Sequence, residues 1–275
     1  MTDWIDIDAL ATRIPDGARL AIPADYGGVA MAATRALIRR HASGLRLVTV
    51  PTSGLQADLL IGAGAAAEIE TAGVTLGEHG LAPRFTAAAK AGKIAIRDAT
   101  CPAIHAGLQA AEKGIPFMPL RGLIGSDLLA ARPEWHIIDN PFAGGSLETG
   151  DDPIVLLPAI RPDLALFHAR WADRAGNVWI GRRRELATMA HAAVTSLVTV
   201  EARFDGDLLA DEATAAGTLP ALYVGAVALA ERGAWPLGLP GVYPADDDEL
   251  ARYAATARTE AGFADYIAGT PRRAA

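Results

Sequence analysis

The chain has 275 residues, 51% of them apolar and 21% charged, which supplies a large core and excludes intrinsic disorder for most of its length. A formal net charge of −7 argues against a general nucleic-acid binder, which needs a basic face. A single cysteine, Cys101, excludes an intramolecular disulfide and any multi-cysteine zinc or iron–sulfur site.

The first residues show no basic stretch followed by an apolar one, and no run reaches the roughly 18 apolar residues of a membrane span. A cytoplasmic protein with no membrane contact is the expectation. RLAIP (19–23) predicts a first strand, followed by the turn Asp25-Tyr26-Gly27-Gly28. Residues 29–41 carry apolar positions at helical spacing and a basic end, which suits the C-terminus of a helix. LRLVTV (45–50) predicts the next strand. Residues 58–61 read as a third apolar run that feeds Gly62-Ala63-Gly64 and then an Ala-rich helix start. KIAIR (93–97) predicts a strand and residues 104–113 a helix. The extended segment IPFMP (115–119) leads into a loop over 121–127. IVLL (154–157), LALFHA (164–169) and AVTSLVTVE (193–201) predict further strands, and residues 246–267 one or two amphipathic helices. The Gly/Asp-rich stretch 144–152 reads as a flexible loop. This alternation predicts an α/β fold over 1–275, with an open, mostly parallel sheet flanked by helices.

In such sheets ligands bind outside the carboxyl ends of the strands. The loops after the predicted strands therefore supply candidate binding residues: Gly27 and Gly28, then Gly62 and Gly64, then the 121–127 loop. Glycine lets a backbone approach a ligand, and amides at a helix start can hold phosphate. Gly62-Ala63-Gly64 lacks the third glycine of the dinucleotide fingerprint, so tight turns alone also account for it. There is no GxSxG elbow, no phosphate-loop motif and no HExxH. The six histidines show no paired spacing, and no metal is expected. The run Arg182-Arg183-Arg184 suits phosphate, or else a solvated face or a partner contact.

Three segments combine into something more specific: GIPFMPLRGLIGSDL (114–128), PAIRPDLALFHARWADRAGNV (158–178) and GVYPADDDELARY (241–253). With IPDGA (14–18) and GEHGLAPRF (77–85), they resemble the A (alpha) subunit of family I coenzyme A transferases, nearest to glutaconate CoA-transferase and to the steroid ring-opening CoA hydrolase. The resemblance implies the CoA-transferase fold, which is similar to that of sugar-phosphate isomerases. It implies a CoA thioester as substrate with no resident cofactor. It also implies a B (beta) subunit as partner in a 2+2 heterotetramer, with the nucleophilic glutamate on that partner. The alpha chain would then complete the cleft and supply donors to developing oxyanions. The resemblance places Arg121, Gly122, Gly125, Ser126 and Asp127 at the substrate, with the Arg121 guanidinium suited to a carboxylate or thioester oxygen, or else paired with Asp127. Asp173 and Asn177 fall in the family's Asp-x-x-Gly-Asn turn and are expected to shape it. Where the family often carries a Glu-Glu pair, this chain has Arg97 and the shorter Asp98, so Asp98 is a candidate catalytic residue, as general base or water-positioning group, or else an N-cap or strand-end aspartate. Three readings stay open: the alpha subunit of a CoA-transferase, a CoA-thioester hydrolase that cleaves a carbon–carbon bond, and a ligand-sensing module without turnover.

Overall fold

The computed structural model describes residues 2–143 and 152–269. In chain order the strands are β1 (Asp3–Trp4), β2 (Arg19–Pro23), β3 (Leu45–Val50), β4 (Ala66–Thr71), β5 (Ala95–Asp98), β6 (Phe117–Leu120), β7 (His136–Asp139), β8 (Pro153–Pro158), β9 (Leu164–Ala172), β10 (Val178–Trp179), β11 (Thr195–Arg203), β12 (Thr218–Leu219) and β13 (Val224–Leu229). The helices are α1 (Ile7–Thr12), α2 (Met31–Arg39), α3 (Leu55–Gly62), α4 (Pro83–Lys90), α5 (Cys101–Glu112), α6 (Leu128–Ala131), α7 (Arg184–Ala192), α8 (Glu212–Ala215), α9 (Asp247–Thr256) and α10 (Glu260–Gly269).

Eight strands form a parallel sheet in the order β1-β13-β11-β9-β2-β3-β4-β5, with β10 and β12 attached antiparallel beside β9. Each inner strand alternates between two cores, because successive side chains point to opposite faces. Leu20, Ile22, Leu45, Leu47, Leu164, Leu166 and Leu197 join one core with residues of α1–α3, α9 and α10. Ala21, Val48, Val50, Phe167, Val198 and Val200 join the other with residues of α5 and α7. A second, antiparallel sheet, β6-β8-β7, contributes Val155 and Leu157 to that second core. The predicted α/β class and parallel sheet are therefore present.

Two sequence expectations need correction. The Ala-rich stretch after Gly64 is not a helix start but strand β4, and the helix, α3, precedes it. Seven of the eight α3 residues are buried, so the segment has no polar face to reveal a helical period. The antiparallel sheet is new, since the sequence pattern marks only IPFMP and IVLL as extended. The 144–152 stretch lies outside the described residues except for Asp152.

Candidate active site

The strand order reverses between β9 and β2, where chain connections leave in opposite directions. That switch point is where open α/β sheets leave a crevice at the carboxyl ends. An open cleft of about 810 Å³ lies there, a size typical of small-molecule sites. Its lining comes from the turn after β2 (Ala24, Asp25, Tyr26), the loop after β3 (Thr52, Ser53), residues 75–79, and the chain between Leu237 and Leu250. Two of the segments that carry the family resemblance, 77–85 and 241–253, thus border one cleft.

Asp25 sits on its floor. Its Oδ2 accepts a hydrogen bond from Leu55 N at 3.0 Å, which caps the start of α3. The approach requires Gly54: a Cβ there would stand 2.2 Å from Asp25 Oδ2 and 2.4 Å from the Thr75 carbonyl. Asp25 Oδ1 is sealed and unpartnered, as is the hydroxyl of the buried Ser53 beside it in the lining. Burial pushes the Asp25 carboxyl up to about 6, against the backbone bonds from Leu55 and Gly54 that favour its charge. Both atoms are closed to solvent and lie beneath the cleft surface as unpaired polar groups.

One wall is fastened to the sheet by a buried polar chain. His168 on β9 lies opposite Thr199 on β11. Its Nδ1 is 2.8 Å from Thr199 Oγ1 and its Nε2 is 2.6 Å from Glu201 Oε1. Glu201 Oε1 also accepts the Tyr243 hydroxyl at 2.7 Å, and Oε2 accepts Arg232 N at 2.7 Å. The Tyr243 oxygen in turn accepts Ala234 N at 3.1 Å. Burial opposes charge on Glu201, but the bonds from His168 and Tyr243 outweigh it and hold the carboxyl below its usual range. Burial and the adjacent carboxylate push the Tyr243 phenol up, so it stays protonated and donates.

The sequence candidates fall in different places. Gly28, at φ +88°, belongs to the packing: a Cβ would lie 2.3 Å from the His168 carbonyl, and Gly28 O accepts His168 N at 2.7 Å. Gly27 is likewise buried, its amide closing the turn onto Ala24 O at 2.7 Å. They shape the turn that presents Asp25 and Tyr26. Gly62 and Gly64 do not follow a strand at all. They end α3 at the amino-terminal edge of the sheet, where a Cβ on Gly62 would strike the Phe263 ring at 2.5 Å. The phosphate-loop rationale for them therefore fails. Asp98 is exposed at the carboxyl end of edge strand β5, where Oδ1 accepts Ala99 N and its carbonyl accepts Arg132 Nη1. Arg121 pairs bidentately with Asp152 at 2.8 and 2.7 Å, not with Asp127. Gly122, Gly125, Ser126 and Asp127 continue that loop into α6, and no residue of 121–127 lines the cleft. Arg182–Arg184 lead into α7, with the Arg183 guanidinium donating to the Ile180 carbonyl. Asp173 accepts from Asn177 N, Asn177 Nδ2 and Leu208 N and organises the turn, as its motif implies.

Sequence reasoning passes over Asp25, Ser53, Glu201 and Tyr243. A signal exists for the first two, since each stands in a short loop directly after a predicted strand. Glu201 and Tyr243 meet only through the fold, 42 residues apart.

Among the described residues no cluster of three or more His, Cys, Asp or Glu is arranged for a metal ion. No helix among them is long and apolar enough to cross a membrane. The family model for coenzyme A transferase matches residues 6–230. The A (alpha) subunit of a 3-oxoadipate CoA-transferase from Pseudomonas knackmussii is 30% identical over 274 residues, covering 96% of this chain and 92% of that protein. An Archaeoglobus fulgidus protein is 30% identical over 266 residues, and this chain spans 57% of its length. Glutaconate coenzyme A-transferase from Acidaminococcus fermentans superposes with a TM-score of 0.85 at 24% identity, over 97% of this chain and 88% of that one. The decarboxylase AibA/AibB superposes with a TM-score of 0.82 at 30% identity, over 97% of both chains.

Proposed function

The chain belongs to the coenzyme A transferase family, and from that premise we propose that it is the alpha subunit of a heteromeric enzyme that moves CoA between an acyl-CoA and a carboxylic acid. The observation that carries this reading is its 30% identity, over nearly the full length of both chains, to a protein named as the alpha subunit of a CoA-transferase. The cleft at the switch point supports it, because it offers an acyl-sized space beside Asp25 and Ser53 and, among the described lining residues, no serine or threonine nucleophile hydrogen-bonded to a base.

In this reading the partner beta subunit supplies a glutamate. Its carboxylate attacks the acyl-CoA carbonyl and expels CoA thiolate, leaving an acyl–glutamyl anhydride. The thiolate then attacks the glutamyl carbonyl, which frees the first acid and forms an enzyme thioester. The second acid runs the same steps in reverse. The alpha chain holds the acyl group in the 810 Å³ cleft, and Arg121 secures its own loop through Asp152. We propose a 2+2 assembly in the cytoplasm. CoA, a thioester substrate here, carries phosphates that this acidic chain meets only through local cations such as Arg182–Arg184, or through the beta subunit.

The test is assembly with the beta subunit, turnover of an acyl-CoA with a free acid, and mass spectrometry of the beta subunit after borohydride or hydroxylamine trapping. A modified glutamate is the expected result. Cleavage of a carbon–carbon bond with no trapped glutamate favours the second reading, for which the likeness to the AibA/AibB decarboxylase speaks.

A further inference from the structure

We propose that the cleft selects an acyl group without a second carboxylate, and that Asp25 is the residue that sets this preference. The inference rests on the cleft being the acyl site of a CoA-transferase. Among the described residues, its charged lining consists of Asp25, Glu78 and Asp247, with His79 as the one basic-type side chain. His79 is itself engaged, its Nε2 standing 3.4 Å from Asp247 Oδ1. Among the described lining residues there is no arginine and no lysine. Much of the remaining wall is apolar: Leu76, Leu237, Pro240, Pro244 and Leu250.

A carboxylate at the far end of an acyl chain needs a fixed cation or several aligned donors when it leaves water. This cleft offers acceptors instead. Asp25 lines the cleft with its Oδ2 held by Leu55 N, which fixes the carboxylate in place there. At pH 7.5 Asp25 carries its charge, because about 6 lies well below that pH. A second carboxylate would face this charge across apolar walls, where the effective dielectric is low and repulsion is strong. An uncharged aliphatic end meets no such penalty and packs against the apolar wall.

The experiment uses the assembled two-subunit enzyme and compares kcat/KM for acceptor acids of equal carbon count, valerate against glutarate, at pH 7.5. The expected result is at least a tenfold preference for valerate, narrowed at least threefold by Asp25→Asn through better use of glutarate. Glu78→Gln and Asp247→Asn, both at exposed positions, provide a second pair of variants should Asp25→Asn fold poorly. Each is expected to narrow the wild-type preference by less than threefold, and a larger narrowing by either would take the preference away from Asp25. Equal use of both acids, or a preference for glutarate, overturns this inference and leaves CoA transfer standing. Transfer to neither acid nor to any other, with no trapped glutamate, overturns the transferase reading itself.

Discussion

The Tyr243 hydroxyl lies 2.7 Å from Glu201 Oε1, the same oxygen that His168 Nε2 meets at 2.6 Å. One carboxylate oxygen thus ties a cleft-lining tyrosine to two central strands. Tyr243→Phe removes the donor and also leaves Ala234 N without its acceptor. We expect a loss of about 1–2 kcal/mol in stability. The loosened wall should raise KM for the acyl substrate by up to about tenfold while kcat changes little. Chemical denaturation and steady-state kinetics of the assembled enzyme check both. An unchanged KM would remove the wall from substrate binding.

Asp25 makes stability depend on pH. Its folded-state carboxyl titrates at about 6, above the ordinary 3.8. The stability it contributes is therefore complete below about 4 and is lost as pH rises through about 6. The interval corresponds to about 3 kcal/mol at most. Asp25→Asn abolishes this dependence, so its melting temperature relative to the wild type should climb between pH 4.5 and pH 7.5. A difference that stays constant over that range would show that burial does not perturb this carboxyl.

Gly28 tolerates no side chain. Its φ of +88° is strained for other residues, and a Cβ would sit 2.3 Å from the His168 carbonyl. Gly28→Ala should cost more than about 3 kcal/mol and reduce soluble yield. Gly64→Ala, also at positive φ but with nothing within 4 Å, should cost only about 1 kcal/mol. Thermal melts of the two variants separate packing from conformation.

Asp58 and Tyr253 join α3 to α9 through a buried bond of 2.6 Å from the tyrosine hydroxyl to Oδ2. The other Asp58 oxygen accepts Phe85 N at 2.6 Å. Tyr253→Phe strands a buried carboxylate oxygen and should cost about 1–3 kcal/mol, read as a lower urea midpoint at unchanged slope.

Arg121 is committed to Asp152 and mostly exposed, so Arg121→Ala should cost less than about 1 kcal/mol in stability. Turnover by the assembled enzyme should fall by less than about tenfold. A greater loss, worth at least roughly 1.4 kcal/mol of transition-state stabilisation, would return Arg121 to the substrate.

Much of the fold is legible in the sequence because inner strands such as LRLVTV and LALFHA serve two cores and read as near-continuous apolar runs. The α3 helix is hidden by the same full burial: enclosed on nearly every side, LQADLLIG has no polar stripe. The site is legible as a location, the loops after strands, and not as a set of side chains. Gly27 and Gly28 stand out in the sequence, yet the chemistry they present belongs to Asp25 next door. Glu201 and Tyr243 carry no local signature, since their pairing depends on the chain returning across the sheet after β13.

If this chain supplies the acyl-binding half of a CoA-transferase, the covalent intermediate must form on its partner. The most direct measurement is mass spectrometry of the beta subunit after the assembled enzyme meets acyl-CoA and is trapped with borohydride. The predicted result is one modified glutamate on the beta subunit, no modification of the alpha chain, and no turnover by the alpha chain alone. Full acyl-CoA turnover by the isolated alpha chain would contradict it.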